Sequence, residues 1–521
     1  MMSRTRRALA LAVLTVMAVV LAACSDSGDE ATDSTGSSGV DSDTGDTGDS
    51  DTGDAPAEGG TLRAAFFGGS AETLNYLQGP TALDYVRARL VHAPLCEIDP
   101  AAPDGIIYGV VSAIEYSDDL SAYTLTVRDD VAFTDGAALT SADVLYSLRA
   151  PALLEGLPFT QLVTRSFDLE AATTPDDLTV VVPTLAPIAD GRELICQSLL
   201  AIQDGTTEFT TDTPSSGPFV LTAFAPGEST RLERNPDYYG DAPSLEAIEL
   251  VSVADGTARV NALEQGQVDY ISGITPAEAQ GLDGADGITV TASELPFASY
   301  LQFTMNMAEP PFDDVRVREA FRLAVDRERI VEVVYFGRAY VGNDVPGLGF
   351  PAYDPDLEQR SQDLDRARSL LEEAGATGVS VELTVGPEVA GMVETGTLLV
   401  EDLQAIGVDA SLQELPAGQL FADFPAYLAL PFRAGYTPPA PFEPNYQPGT
   451  FADIDALVLA ARSAPTAEER SAASHEAQQL LWAEGNQIGP VYVPSISAAR
   501  AGVSGIREVQ FPDLTYATTA G

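Results

Sequence analysis

The stretch VSVELTVGPEVAGMVETGTLLVEDLQAIGVDASL, Val379–Leu412, decides the fold class. Val379, Val381, Leu383 and Val385 alternate with polar or small neighbours, which is the period of a strand with one buried face. Leu399, Leu403 and Ile406 then form a helical stripe, and Gly407 ends it. Val408, Ala410 and Leu412 alternate again. A helix of that length between two strands implies a parallel crossover, because antiparallel neighbours need only a short turn. This part of the chain is therefore expected to be an α/β lobe built from crossovers.

Upstream, DLDRARSLLEEAG (Asp363–Gly375) is predicted to be a helix with Ala367, Leu370, Leu371 and Ala374 on one face. DDVRVREAFRLAVDRERIVEVVYFG (Asp313–Gly337) is predicted to be one long helix, started by Asp313 or Asp314 and stopped at Gly337. SSGPFVLTAFAPGESTRLERNPDYYG (Ser215–Gly240) is expected to be a hairpin about Pro226-Gly227-Glu228. In SAYTLTVRDDVAFTDGAALTSADVLYSLRA (Ser121–Ala150), Tyr123, Leu125 and Val127 mark a strand and Asp135-Gly136 a turn. Thr140-Ser141-Ala142-Asp143 then has the form of a capping box that opens a helix. Downstream, Thr466 is expected to cap a helix carrying Ala473, Ala477, Leu480 and Leu481. The body mixes α and β throughout.

The N-terminal end reads differently. Arg4, Arg6 and Arg7 precede an apolar run, Ala8–Val20, of signal-peptide length and shorter than a membrane span. Leu21-Ala22-Ala23-Cys24 follows and resembles the lipobox of bacterial lipoproteins, in which the cysteine is lipidated and becomes the new N-terminus. Two acyl chains suffice for stable anchoring where one does not. Directly after Cys24 the composition breaks. Ser25–Gly60 carries eleven acidic residues and no basic one, and is expected to be a disordered tether with a reach of roughly 30–36 Å.

Composition excludes more than it assigns. The formal charge of −51 argues against nucleic acid or anionic lipid surfaces as partners. All 27 basic residues are arginine, so a phosphate loop with its lysine and a Schiff-base lysine are both ruled out. Excess acid without lysine suggests a salt-adapted or high-GC organism, two origins that composition does not separate. About 460 residues follow the tether, more than a single hydrophobic core accommodates. The two remaining cysteines, Cys96 and Cys196, invite a disulfide in an exported chain, with two separate buried thiols as the alternative. His92 and His475 lack metal-ligand spacing, and no zinc-protease, redox or serine-hydrolase motif occurs. Neither a catalytic residue, a cofactor nor a metal is expected.

Four of these segments, taken in order, resemble the extracytoplasmic solute-binding proteins of ATP-driven importers, in the large peptide/nickel-binding family 5. Val111–Leu148 is similar to the family's strand–turn–helix signature. Ser215–Gly240 is similar to its G-T-G-P-Y … P-G-E … R-N-P-D-Y-W-G block, with Ser216 for Thr, Phe219 for Tyr and Tyr239 for Trp. PPFDDVRVREAFRLAVDRERIV (Pro310–Val331) is similar to its P-F-D-D block, and Phe451–Leu481 to its C-terminal helical region. The resemblance implies a two-lobed α/β fold of the periplasmic-binding-protein type, with mixed sheets and an enclosed cleft between the lobes. It maps lobe I to residues 61–298 plus 488–521 and lobe II to residues 299–487, after a signal peptide at 1–23 and the tether at 24–60. The first hinge is expected near Ser299–Met305, where Leu301, Phe303 and Met305 alternate.

The resemblance also implies the function. It does not name the solute but implies its capture: the chain is expected to be the substrate-binding component of an ABC importer. It would be lipid-anchored at Cys24 to the outer face of the cell membrane, monomeric, and would deliver a small solute to a permease. A ligand sensor of the same fold that signals to a membrane receptor is the alternative, and an extracytoplasmic enzyme comes last. Candidate ligand-binding residues are Phe66 and Phe67 after the first body strand, Tyr300 at the hinge, and Phe432, Arg433 and Tyr436 on a lobe-II loop. Peptide-binding members often carry a carboxylate in that loop to pair with a free amine, and here Gly435 holds the position. Arg433 offers instead a fork suited to a carboxylate or phosphate, or is a solvated loop residue.

Overall fold

The computed structural model describes residues 59–79, 81–156, 162–197, 199–416, 419–442 and 451–519. The signal peptide, Cys24 and the tether up to residue 58 lie outside the described residues. In chain order, the strands are β1 (Thr61–Phe66), β2 (Cys96–Ile98), β3 (Ile106–Tyr108), β4 (Val111–Tyr116), β5 (Ala122–Val127), β6 (Thr173–Asp176), β7 (Thr179–Pro183), β8 (Phe219–Ala225), β9 (Ser229–Arg234) and β10 (Ala247–Ser252). They continue with β11 (Tyr270–Ser272), β12 (Ile288–Ala292), β13 (Ser299–Met305), β14 (Tyr340–Val341), β15 (Ser380–Val385), β16 (Asp409–Glu414), β17 (Phe432–Thr437), β18 (Gln487–Val493) and β19 (Ile496–Arg500). The α-helices are α1 (Ala82–Val91), α2 (Ser141–Leu153), α3 (Leu162–Ser166), α4 (Gly191–Ile195), α5 (Gly256–Glu264), α6 (Pro276–Leu282) and α7 (Val315–Ala324). After them come α8 (Arg327–Tyr335), α9 (Leu364–Ala374), α10 (Met392–Ala405), α11 (Phe424–Ala429), α12 (Ala452–Arg462) and α13 (Ala467–Glu484).

The first large sheet has the order β12-β19-β11-β1-β10-β9-β8. Its first strand pairs in parallel with β10 from Thr61↔Ala247 to Phe66↔Ser252, and with β11 on its other edge. Alternation decides which residues face which layer. Leu62, Ala64 and Phe66 pack with Leu83, Val86 and Leu90 of α1. Ala65, Ile271 and Ala498 pack with Leu263, Ala279 and Leu282 of α5 and α6 on the opposite face. A sheet covered by helices on both faces needs apolar residues on both, which these strands supply.

A four-stranded antiparallel sheet, β4-β5-β7-β6, and the β2–β3 pair form a second unit. Tyr123, Leu125 and Val127 are buried with Val180, Val182, Val144 and Leu148. The capping box opens α2 as its sequence indicates, with the Thr140 N–H donating to Asp143 at 2.8 Å. Cys96 and Cys196 are joined by a disulfide inside this core, with S–S 2.07 Å.

The second large sheet has the order β14-β18-β13-β17-β15-β16. β15 and β16 pair in parallel from Ser380↔Asp409 to Val385↔Glu414, and α10 makes the crossover between them. Leu301, Phe303 and Met305 of β13 and Leu399 and Leu403 of α10 share one core.

Two expectations change here. The segment Asp313–Gly337 is two helices, α7 and α8, because Asp326 acts as a second N-cap. Its carboxylate accepts the Arg329 N–H at 3.0 Å, and its own N–H is held by Asp402 at 3.0 Å. A short acidic side chain that bonds the backbone in this way favours a helix start over a helix interior. The strand expected to be the hinge, Ser299–Met305, is an interior strand bonded to β17 on one edge and β18 on the other. The chain passes between the two large sheets just before it, at 293–298, and again at 494–495 between β18 and β19. β18 pairs with β13 as far as Val493↔Ser299, so the expected division at 487/488 falls at the start of a strand that belongs to the second large sheet.

Candidate ligand-binding site

Both crossings are short and bonded to each other. The Ser293 N–H donates to the Ser495 carbonyl at 2.9 Å, and the Ser495 N–H donates to Ser293 Oγ at 3.0 Å. Beside them, Tyr300 of β13 and Tyr492 of β18 stand opposite in register with ring centroids 5.1 Å apart. The Tyr492 hydroxyl donates to the Val345 carbonyl at 2.5 Å and accepts the Leu348 N–H at 3.2 Å. The Tyr300 hydroxyl is buried without a hydrogen-bond partner. Burial holds the Tyr300 phenol well above the usual tyrosine range, so it stays protonated. A Cβ at residue 489 would lie 2.0 Å from that hydroxyl, which is why only glycine fits there. Pro296 and Ala298 from the first crossing, and Pro438 and Pro439 after β17, complete a tightly closed recess over the two rings, with no room for a water molecule.

β17 brings Arg433 alongside and carries Tyr436 on its opposite face. It pairs with β13 through Thr304↔Arg433 and Leu301↔Tyr436. Arg433 is thus on the sheet face shared by Tyr300, away from the core of Leu301 and Phe303. Its Nη1 donates to the Leu430 carbonyl at 3.1 Å, its guanidinium lies over the Tyr427 ring at 5.1 Å, and its Nε is buried without a partner. A guanidinium with a donor still unused is suited to an acceptor-rich anion. Tyr436 is half-exposed against Phe421, with ring centroids 5.9 Å apart.

At Gly435, an added Cβ would lie 2.6 Å from the Tyr427 hydroxyl, which donates to the Ala434 carbonyl at 3.1 Å. The space a carboxylate would need is already occupied by tyrosine. This neighbour was not visible in the sequence, since the pairing of residues 427 and 435 depends on how α11 folds back on β17.

Three of the expected site residues are buried: Tyr300 is 1% exposed in a small cluster with Ala298 and Tyr492, and the other two lie in the larger cores. Phe432 is 1% exposed between Phe312 and Phe321, with centroid distances of 5.5 and 6.0 Å. It shares the inward face of β17 with Ala434, so the sheet's pleat turns it into the core of the second large sheet. Phe66 is 2% exposed and packs on Tyr270 at 6.0 Å. Phe67, one residue later, is 56% exposed where β1 ends.

The loop after Phe67 is fixed from beneath. Glu72 accepts the Gly69 N–H at 3.0 Å and pairs with Arg87. Arg87 also donates to Asp84 at 3.0 Å and to Thr230 at 2.9 Å, and all of these side chains are buried. Sequence reading did not single out Arg87, because an arginine on an amphipathic helix carries no mark of burial until its partners are placed. Separately, a cavity of about 130 Å³ lies between α1, β8 and residues 209–215. Its wall includes His92, which burial brings down to about 4 and so keeps neutral. Among the described residues, no group of three His, Cys, Asp or Glu side chains is arranged to hold a metal ion.

Comparison with known proteins adds the family. The model of bacterial extracellular solute-binding proteins, family 5 Middle, matches residues 105–453. Protein XP55 of Streptomyces lividans is 30% identical over 269 residues, 50% of this chain and 48% of that protein. The chain thus spans about half the length of that relative. The glutathione-binding protein GsiB of Salmonella typhimurium is 24% identical over 425 residues, covering 75% of this chain and 81% of GsiB. The crystal structure of the ABC transporter substrate-binding protein CtaP from Listeria monocytogenes superposes with a TM-score of 0.77 at 19% identity, over 89% of this chain and all of that one. That likeness shows the two-lobed binding-protein fold.

Proposed function

The chain belongs to the bacterial extracellular solute-binding proteins of family 5, and from that membership we propose that it is the membrane-anchored substrate-binding component of an ABC importer. It captures a small solute between its lobes and passes it to a permease in the same membrane. Its place is extracytoplasmic. Cys24 carries the lipid, residues 25–60 are the tether, and the body acts as a monomer by binding, not by turnover. Residues 299–493 form the second lobe, since both chain crossings fall at its ends.

The observation that carries this reading is the pair of hydrogen-bonded crossings beside an aromatic recess. Hinge motion there would open the recess to solute and close it again. We assign Phe67, Tyr300 and Arg433 to the ligand side; Tyr436, paired with Leu301, stands on the opposite face of β17 from Arg433. Phe66 and Phe432 belong to the core.

The solute class follows from Gly435 and Arg433. An enclosed ammonium would lose its hydration and find Tyr427 where a carboxylate would be needed, a penalty of several kcal/mol. About 1.4 kcal/mol is already tenfold in affinity. A neutral or anionic ligand is expected, such as an oligosaccharide or an N-blocked or cyclic peptide. Calorimetry with matched short peptides, free and N-acetylated, tests this. A strong preference for the free amine would overturn the ligand class. For the anchor, Cys24→Ala should release the body or leave its signal uncut, and a membrane-bound variant with a normally cleaved N-terminus would refute it.

A further inference from the structure

The crossings are not the only connection between the first and last parts of the body. Helix α4 of the four-stranded unit meets the C-terminal helices α12 and α13. Arg462 Nε donates to Asp190 Oδ2 at 2.9 Å and its Nη2 to Ser166 Oγ at 3.3 Å. The Arg462 carbonyl accepts the Ala189 N–H. Arg470 Nη1 donates to Glu193 Oε1 at 3.3 Å and to the Ala189 carbonyl at 3.4 Å.

Both sides of this contact are rigidly mounted. Asp190 precedes α4, and Cys196, which caps the other end, is bonded to Cys96 of β2. The C-terminal end of α13 is held by Arg322, whose Nη1 and Nη2 donate to the carbonyls of Trp482 at 2.6 Å and Ala483 at 2.7 Å. Arg322 belongs to α7, which packs in the core of the second large sheet through Val317, Ala320 and Phe321. The ion pairs therefore join the two lobes, and do not merely decorate one of them.

Asp190 is withdrawn from water, and Glu193, 21% exposed, is partly so. The Asp190 side chain is fully buried, and Asp190 Oδ1 and Glu193 Oε2 are buried with no hydrogen-bond partner. An exposed ion pair contributes little, whereas a desolvated one is lost at high cost when one partner is removed. We propose that Asp190–Arg462 and Glu193–Arg470 form an inter-lobe latch that holds the lobes together in the absence of solute. The proposal rests on the two-lobed fold and is independent of which solute is carried.

The test uses the whole chain without added ligand. Small-angle scattering gives the radius of gyration, and hydrogen exchange gives the protection of the Ala189 amide, whose acceptor is the Arg462 carbonyl. In Asp190→Asn/Glu193→Gln, the radius should rise by about 1 Å over the ~23 Å of a compact body of this size. Ala189 exchange should quicken at least tenfold. Arg470→Gln, at the more accessible pair, should shift both in the same direction by less, and serves if the double variant does not fold. The charge-exchanged variant Asp190→Arg/Arg462→Asp should recover part of the compactness. Faster exchange at Ala189 with an unchanged radius would reduce the contact to local packing and overturn the latch. So would no change in either quantity.

Discussion

Ser293 and Ser495 bond each other twice across the two chain crossings, N–H to carbonyl at 2.9 Å and N–H to Oγ at 3.0 Å. The same Ser293 hydroxyl donates to the Phe297 carbonyl at 2.9 Å. One side chain therefore ties both crossings and the turn within the first of them.

Ser293→Ala removes that hydroxyl from a fully buried position. It leaves the Ser495 N–H and the Phe297 carbonyl without these partners, and an unsatisfied buried group costs about 1–3 kcal/mol. We expect the free energy of unfolding in urea to fall by about 2 kcal/mol. An unaltered transition midpoint and slope would show that the hydroxyl has no such role.

Asp344 carries a larger share of stability. It is buried among arginines, with its oxygens accepting from Arg327 Nη2 at 2.7 and 2.8 Å, from Arg360 Nε at 2.8 Å and from the Gly489 N–H at 2.9 Å. Breaking a buried ion pair by removing one partner costs about 3–5 kcal/mol. Asp344→Asn should lose stability on that scale in the same urea titration, and a loss below 1 kcal/mol would contradict it.

The pH dependence of that site has a definite sign. Burial pushes the Asp344 carboxyl up, but Arg327, Arg360 and Arg322 together more than offset it and leave it below the usual range. A depressed folded value contributes stability above the unfolded value of about 4 and loses it as pH falls further. The difference in stability between the wild type and Asp344→Asn should therefore be constant from pH 7 to about 5 and shrink below about 4. A difference that grows on acidification would reverse the assignment.

The Cys96–Cys196 disulfide closes a loop of 100 residues. On the chain-entropy model this contributes up to ~4.7 kcal/mol. Thiol titration of the denatured, unreduced protein should find neither Cys96 nor Cys196 free. Reduction should lower the melting temperature, and two titratable thiols would remove the basis for both statements.

Salt is expected to stabilise the body. Residues 61–521 carry 67 of the 78 acidic residues and 24 of the 27 arginines, so self-repulsion is large and screenable. Melting temperatures should rise from low to molar NaCl. A flat or falling series would mean that repulsion does not limit this fold.

Local signals made much of the fold legible. Periodicity located β15, α10 and β16 and implied their parallel pairing, Thr140 and Asp143 marked the start of α2, and Gly375 ends α9 in the left-handed conformation. The failures share a cause. Asp326 looked like one more polar residue on a helix, and the second cap needed Asp402, 76 residues away, to hold its N–H. Phe432 and Phe66 were chosen as aromatics near an expected cleft, but the pleat faces them inward. Arg87 and Tyr427 define their surroundings through partners that no local pattern announces. Of the site, β13 was legible from the alternation of Leu301, Phe303 and Met305, whereas β17 was expected to be a loop and the direction of individual side chains was not legible.

The strand order has a consequence for how the molecule is made. β1, which opens the body, is bonded to β11, and β11 is bonded to β19, which begins at Ile496. The second large sheet likewise needs β18. Neither sheet can therefore be completed until residues 487–500 are available. Pairings so distant in sequence form slowly. Until those residues pair, β11 and β13 each keep an open edge, so completion of the two sheets is coupled through one continuous segment.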